Sequence, residues 1–308
     1  MSQLPTSMRA LRAAAAGGPE QLAVDTAPVP PIGTGDVLVR VHAAGYTPGE
    51  LDWPSTWEDR LGRPRTPTIP SHEVSGTVAA VGFGVAELAV GDEVFGLTDW
   101  YRDGAAAEFI AVEARNLARK PEGADHVATA TLPLSGLTAW QGLFTHGGLS
   151  AGQSVIVHGA GGGVGALAVQ LAHLAGAHVT ATGRASVRGL ATDLGADTFF
   201  DLEADDLGEL PRTDVVFDTV GGEALARTKA GSRVVSIVEQ PPEAVGDQGV
   251  YFVVEPDRAG LAELARKVDA GELTAIVGHR CPLDDAAGLI QRKHRGELPG
   301  KIVISLID

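Results

Sequence analysis

A chain of 308 residues, 44% hydrophobic and 20% charged, is long enough for two domains with buried cores, and its composition excludes a disordered or fibrous protein. The formal net charge of −15, from 39 acids against 24 lysines and arginines, excludes a general binder of nucleic-acid backbones. A single cysteine, Cys281, excludes both an internal disulfide framework and a Cys-rich zinc site.

Cys281 has no His or acid motif beside it, so it reads as a semi-buried small residue, and its solitude fits a reducing compartment. No run of about 20 apolar residues occurs, and residues 1–12 carry no hydrophobic signal core. The expectation is a cytoplasmic protein with neither membrane nor nucleic acid as partner.

Along the first third, short β runs at 36–42, 74–81, 91–97 and 106–112 are separated by Pro and Gly, as at Pro30, Pro31 and Gly33. This spacing predicts a β-rich lobe. After Pro121 apolar strands alternate with Ala- and Leu-rich helical segments, which predicts βαβ units and a doubly wound parallel sheet, an α/β fold. The units are a strand at 155–158, a helix at 165–175, a strand at 178–182 and a helix at 187–194. Further strands are predicted at 199–201, 215–218 and 233–238, then a helix at 261–268 and a strand at 301–307.

Between the strand ending at His158 and the next helix lies the turn Gly159, Ala160, Gly161, Gly162, Gly163, Val164, Gly165. Strand, glycine turn, helix and second strand in that order form the context of a Rossmann dinucleotide cradle. Ala160 stands where the commonest pattern has its first glycine. Gly162 would let the backbone approach a pyrophosphate, Gly165 would let helix and strand pack closely, and the N–H groups at the helix start would face the diphosphate.

An acid about 20 residues past such a turn would hold the ribose hydroxyls of NADH. From Gly176 through Thr192 there is none. Gly183, Arg184, Ser186 and Arg188 stand there instead, and guanidinium groups match a 2′-phosphate, so the expected cofactor is NADPH. The alternative is that Arg184 and Arg188 form only a solvated helix face.

With the turn goes a set of words: Ser71-His72-Glu73-Val74-Ser75-Gly76, Gly91-Asp92-Glu93-Val94-Phe95-Gly96, Gly136-Leu137-Thr138-Ala139-Trp140, Asp218-Thr219-Val220-Gly221-Gly222 and Gly300-Lys301-Ile302-Val303. Together they resemble the medium-chain dehydrogenase/reductase superfamily, in its zinc-independent quinone oxidoreductase (zeta-crystallin-like) branch. The resemblance implies a discontinuous GroES-like β-rich catalytic domain at 1–126 and 272–308, and a Rossmann NADP-binding domain at 127–271. It also implies a homodimer.

Zinc-dependent members carry a Cys after the Ala-Gly of the second strand word, a His in the Gly-His-Glu word and a further Cys before the Rossmann domain. Of these only His72 stands here; Tyr46 and Thr47 occupy the first Cys region, and Leu134 and Ser135 the last. One His beside one Glu cannot build a zinc site, which needs at least three suitable ligands. His72 is therefore read as a structural residue.

Hydride addition to an activated acceptor needs no metal, because a quinone or enone already carries the electron sink. The resemblance places Thr138 near the nicotinamide end of the cofactor, puts Tyr46 and Thr47 on the loop facing it, and lines the nicotinamide amide with Ser236, Ile237 and Val238. Quinone reductases of this branch usually carry Asn where Thr47 stands. Tyr46 is a candidate donor to a developing oxyanion, or a packing residue. Trp53, Trp57, Trp100 and Tyr101 suggest a flat apolar acceptor pocket, or a core or interface role. An enoyl reductase of a biosynthetic pathway and a non-catalytic NADPH-binding protein remain as alternatives.

Overall fold

The computed structural model describes residues 4–227, 229 and 232–307. It divides into two compact units: the chain up to Leu134 with Pro256–Gly271 and the stretch from Ala275 onward, and Ser135–Glu255 with Glu272–Thr274.

The first unit opens with a hairpin absent from the sequence reading, β1 (Ser7–Ala13) paired antiparallel with β2 (Leu22–Pro28). The long β3 (Asp36–Tyr46) follows, with Val37, Val39 and Val41 completely buried. After a one-turn helix α1 (Pro54–Trp57) come β4 (Glu73–Val81), β5 (Glu93–Leu97), β6 (Phe109–Glu113) and β7 (Leu117–Arg119). The short helix α2 (His126–Thr129) is capped by the Asp125 carboxylate, which accepts from the Ala128 N–H. Helix α3 (Pro133–Trp140) then leads into the second unit.

That unit alternates strand and helix. Its elements are β8 (Ser154–His158), α4 (Gly163–Leu174), β9 (His178–Gly183), α5 (Arg188–Asp193), β10 (Thr198–Asp201), β11 (Val215–Asp218), α6 (Gly222–Ala226), β12 (Arg233–Ser236) and β13 (Gly249–Tyr251). The strands are parallel in the order β10-β9-β8-β11-β12-β13. This is the doubly wound Rossmann order, reversing direction between β8 and β11, where ligands of such sheets bind. β8 is apolar at successive positions (Val155, Ile156, Val157) because a parallel sheet is covered on both faces. Helix α4 is buried from Gly165 through Ala172, as expected of a segment apolar all round.

The chain returns to the first unit through α7 (Arg258–Asp269), β14 (His279–Pro282), α8 (Ala286–His294) and β15 (Ile302–Ser305). The larger sheet there runs β14-β15-β3-β4-β5-β7, with β6 also on β3. β14 and α8 were absent from the sequence reading, and β15 is shorter than the predicted 301–307.

The unit boundaries differ from the expected 126/127 and 271/272. Residues 127–134 stay with the first unit because α2 packs on β3 and β4 and the Leu134 N–H donates to the buried Glu73 carboxylate at 2.9 Å. Helix α7 stays there because Arg258 Nε donates to the Leu117 carbonyl at 2.8 Å and Asp269 accepts the Gly123 N–H at 2.8 Å.

Candidate functional site

Gly159 leaves β8 with φ +85°, a left-handed conformation that favours glycine. A Cβ there would stand 2.4 Å from Thr219 Oγ1, which itself donates to the His158 carbonyl at 2.7 Å. The Gly159 and Ala160 N–H groups both donate to the Thr182 carbonyl, at 3.0 and 2.9 Å, tying the turn to the end of β9. Ala160 is buried and Gly161 lies on Val187, whose side chain a Cβ would meet at 2.5 Å. Gly162 is the exposed N-cap of α4 and offers no side-chain cap, while Gly163, Val164 and Gly165 form the first turn. The N–H groups of that first turn have no intrahelical partners. An exposed backbone surface of N–H groups at a helix start, free of Cβ atoms where the chain turns, fits the diphosphate of a dinucleotide.

Gly183 is the last residue of β9 and is buried against Val187. Arg184 and Ser186 follow it, both exposed. The structure brings an acid to this place that the local sequence lacks: Arg184 Nε lies 3.1 Å from Glu203 Oε1. Arg188 turns toward β10 rather than toward Arg184, with its guanidinium 4.7 Å from the centre of the Phe199 ring, Nη1 donating to the Phe199 carbonyl at 3.2 Å, and Asp205 at 4.0 Å. Reading for acids only along β9 missed Glu203 and Asp205, because they arrive from the neighbouring strand.

At the ends of β11 and β12 a buried polar group links the two strands. Asp218 Oδ2 accepts from Ser236 Oγ at 2.8 Å, and its carboxylate also accepts the Val220 and Gly221 N–H groups. Ser236 Oγ accepts in turn from the Val238 N–H at 3.2 Å, and the Ile237 N–H donates to the Asp218 carbonyl. β12 therefore ends at Ser236, two residues before the predicted limit, and Val238 is left 48% exposed. Beside them His158 is fully buried, with Nδ1 on Thr182 Oγ1 at 2.9 Å and Nε2 without a hydrogen-bond partner. Burial holds its pKa down at about 4, so the ring is neutral. Thr138 is buried on α3.

In the first unit Tyr46 ends β3, buried, and burial together with the Glu50 and Asp52 carboxylates raises its pKa, so the phenol stays protonated. Thr47 Oγ1 donates to Glu73 Oε2 over 3.5 Å. Glu73 is completely buried and forms an ion pair with Lys301, which is 5% exposed. Glu50 is also buried; one of its oxygens accepts the Ser71 N–H at 3.1 Å and the other has no hydrogen-bond partner, and desolvation raises its pKa well above the ordinary carboxylate range. Ser71 holds φ +73°. Neither the Glu73–Lys301 pair nor the Glu50–Ser71 pair was read from the sequence, although Lys301 stood in one of the recognised words.

His72 is 3% exposed, shares a hydrogen bond with Thr98 Oγ1 at 3.1 Å through Nδ1, and has its pKa held down at about 4 by burial. The four aromatic residues named from the sequence make different contacts. Trp53 and Trp100 meet edge to face at 5.1 Å, with His72 at 5.1 Å from Trp100. Trp57 instead donates its indole N–H to the Leu51 carbonyl at 2.7 Å and packs on the main core, and Tyr101 is 37% exposed beneath the Arg60 guanidinium. An indole N–H needs an acceptor when partly buried, and the Leu51 carbonyl supplies it.

Residues 33–122 match the family of alcohol dehydrogenase GroES-like domains, and residues 194–304 match the family of zinc-binding dehydrogenases. The chain is 33% identical over 320 residues to the 2-methylene-furan-3-one reductase of Solanum lycopersicum, covering 98% of this chain and 80% of that one. It is 33% identical over 325 residues to the chloroplastic NADPH-dependent alkenal/one oxidoreductase of Arabidopsis thaliana, covering 98% and 81%. Its fold is similar to that of the quinone oxidoreductase from Coxiella burnetii, with a TM-score of 0.88 at 24% identity over 98% of this chain and 100% of that one.

The second family's description names zinc. His72 is engaged with Thr98 and Glu73 with Lys301, and among the described residues no three His, Cys, Asp or Glu side chains group so as to hold a metal ion. The chain belongs to the medium-chain dehydrogenase/reductase superfamily, beside its quinone and alkenal oxidoreductases, and is itself an oxidoreductase.

Proposed function

We propose that this oxidoreductase transfers hydride from NADPH to a quinone or another activated enone, without zinc. The observation that carries the reading is that Thr47 and His72, at two of the positions where a metal-dependent relative carries ligands, bond instead to Glu73 and Thr98, with Glu73 paired to Lys301. An acceptor with its own electron sink suits such a site. The tomato and Arabidopsis relatives support it, since their names specify a methylene-furanone and alkenals or alkenones, and the second specifies NADPH.

Bound NADPH would supply the hydride from its nicotinamide ring. The protein's part is placement. Ala160, Gly161, Gly162, Gly163, Val164 and Gly165 would hold the diphosphate through backbone N–H groups, and Arg184, Ser186 and Arg188 the 2′-phosphate. Gly183 would keep the start of that loop free of a side chain. Ser236, Ile237 and Val238 would bind the nicotinamide amide, with Thr138 near the same ring. On the acceptor, Tyr46 would donate a hydrogen bond to the oxyanion that forms as hydride arrives, with Thr47 as a second polar contact and Trp53 and Trp100 as apolar surface.

The test is NADPH oxidation in the presence of o-quinones, p-quinones and enones. Turnover of at least one class is expected; tight NADPH binding with no turnover of any would replace the redox reading with a non-catalytic one. We further propose a homodimer, supported by apolar exposure at and just past the edge strand of the parallel sheet, where Tyr251 on β13 is 40% and Val253 beyond it 62% exposed. A cytoplasmic site of action is supported by the single buried thiol. Among the described residues no helix is long and apolar enough to cross a membrane.

A further inference from the structure

We infer that Glu203 sets the cofactor preference of this chain, by competing with the 2′-phosphate of NADPH for Arg184 and by offering a carboxylate to the ribose of NADH. The inference rests on the proposed seat of the 2′-phosphate at Arg184.

The geometry begins with strand register. Asp201, the last residue of β10, lies opposite Gly183, the last residue of β9. The chain beyond stays close, since the Leu202 N–H donates to the Gly183 carbonyl at 2.9 Å. The next residues form a fixed turn: Asp201 Oδ1 accepts the Glu203 N–H at 3.0 Å, Asp205 Oδ2 accepts the Asp201 N–H at 2.7 Å, and the Asp205 N–H returns to the Asp201 carbonyl at 3.0 Å. This turn holds Glu203, two residues past β10, beside Arg184, one residue past β9. The resulting contact is the 3.1 Å pair already described.

A Rossmann site that holds ribose hydroxyls does so with an acid at the end of its second strand. Here an arginine follows the end of that strand, and the acid comes to the same place from the turn after the third strand. With NADPH, the guanidinium is shared between the Glu203 carboxylate and a dianionic phosphate, and the carboxylate repels that phosphate. With NADH no phosphate competes, the ion pair persists, and Glu203 Oε2 is an available acceptor for a ribose hydroxyl. Arg184 and Glu203 are 75% and 68% exposed, so the pair is weak and screened by salt. Its influence is therefore a tuning effect of several-fold.

The experiment is titration of the full chain with NADPH and with NADH, by quenching of tryptophan fluorescence, for the wild type, Glu203→Gln and Arg184→Ala, at low salt and at high salt. Glu203→Gln is expected to raise the NADPH-over-NADH affinity ratio by about two- to fivefold at low salt, with a smaller change at high salt, and Glu203→Asp is expected to restore part of the wild-type ratio. A ratio unchanged by Glu203→Gln, while Arg184→Ala weakens NADPH more than NADH, overturns the role of Glu203 alone. Equal weakening of both cofactors by Arg184→Ala, or none, overturns the seat of the 2′-phosphate and the inference with it.

Discussion

A Cβ built on Gly165 stands 2.1 Å from the carbonyl oxygen of Gly159, so helix α4 and the end of β8 meet where only a hydrogen fits. The obstacle is backbone, and no rotamer change relieves it. Gly165→Ala should therefore displace the helix start from the turn, costing about 1–3 kcal/mol of stability and weakening NADPH binding by about tenfold or more, since 1.4 kcal/mol is a factor of ten. Gly189→Ala is the control: it lies exposed in α5 with open space around its Cα, and alanine there should be neutral or stabilising by about 0.5–1 kcal/mol. Urea denaturation and cofactor titration of the two variants check both statements.

Lys301 and Glu73 carry opposite charges in a place water does not reach. Removing one partner of such a pair leaves the other buried and uncompensated. Lys301→Met is expected to destabilise the first unit by about 3–5 kcal/mol, and Glu73→Gln in the same chain should recover a large part of that loss. A double-mutant cycle measured by denaturant unfolding would show it; additive losses would mean that the two side chains act independently.

His72 and His158 each bind a proton only at about pH 4 in the folded chain, because burial disfavours the charged ring, whereas an unfolded histidine does so near pH 6.5. Between those limits the unfolded chain binds more protons than the folded one. Stability therefore rises with pH across this window and is lost on acidification from about 6.5 toward 4, at most about 1.4 kcal/mol per pH unit for each ring. His42 and His126 are shifted in the same direction, so the whole chain should show the combined slope. His158→Gln should reduce the slope between pH 6.5 and 5 in urea midpoints; an unchanged slope would contradict a neutral buried His158.

Ser71 combines a left-handed backbone with a buried hydroxyl that has no hydrogen-bond partner, and both features cost stability. Ser71→Gly removes both at the expense of extra freedom in the unfolded chain. The net expectation is stabilisation of about 1 kcal/mol, seen as a raised Tm. A lowered Tm would mean that the hydroxyl is used in the native state.

The strand, glycine turn and helix at 154–174 were legible because their signals are local. A buried strand, a glycine turn and an apolar helix follow one another within the 21 residues from Ser154 to Leu174, and the strand order found in the second unit is the one such a sequence of βαβ units forms. The hairpin of β1 and β2 was not legible, because its strands mix buried and exposed positions without clean alternation. β14 was missed for a similar reason: it is a four-residue strand with Cys281 alone buried, and only its pairing with β15 makes it a strand.

By itself the sequence determined the α/β class, the place of the glycine turn between strand and helix, the family and the absence of cysteine ligands, since each depends on residue type and spacing along the chain. Only the tertiary structure decided which charges meet. Glu203 reaches Arg184 through the register of two parallel strands, and Lys301 reaches Glu73 across 228 positions because β15 pairs with β3 and β3 with β4. It also gave Trp53 and Trp100 a ring contact while Trp57 bonds to Leu51 and Tyr101 lies beneath Arg60. Electrostatic and aromatic contacts act over a few ångströms in space, and nothing in the order of residues fixes those distances until the sheets have formed.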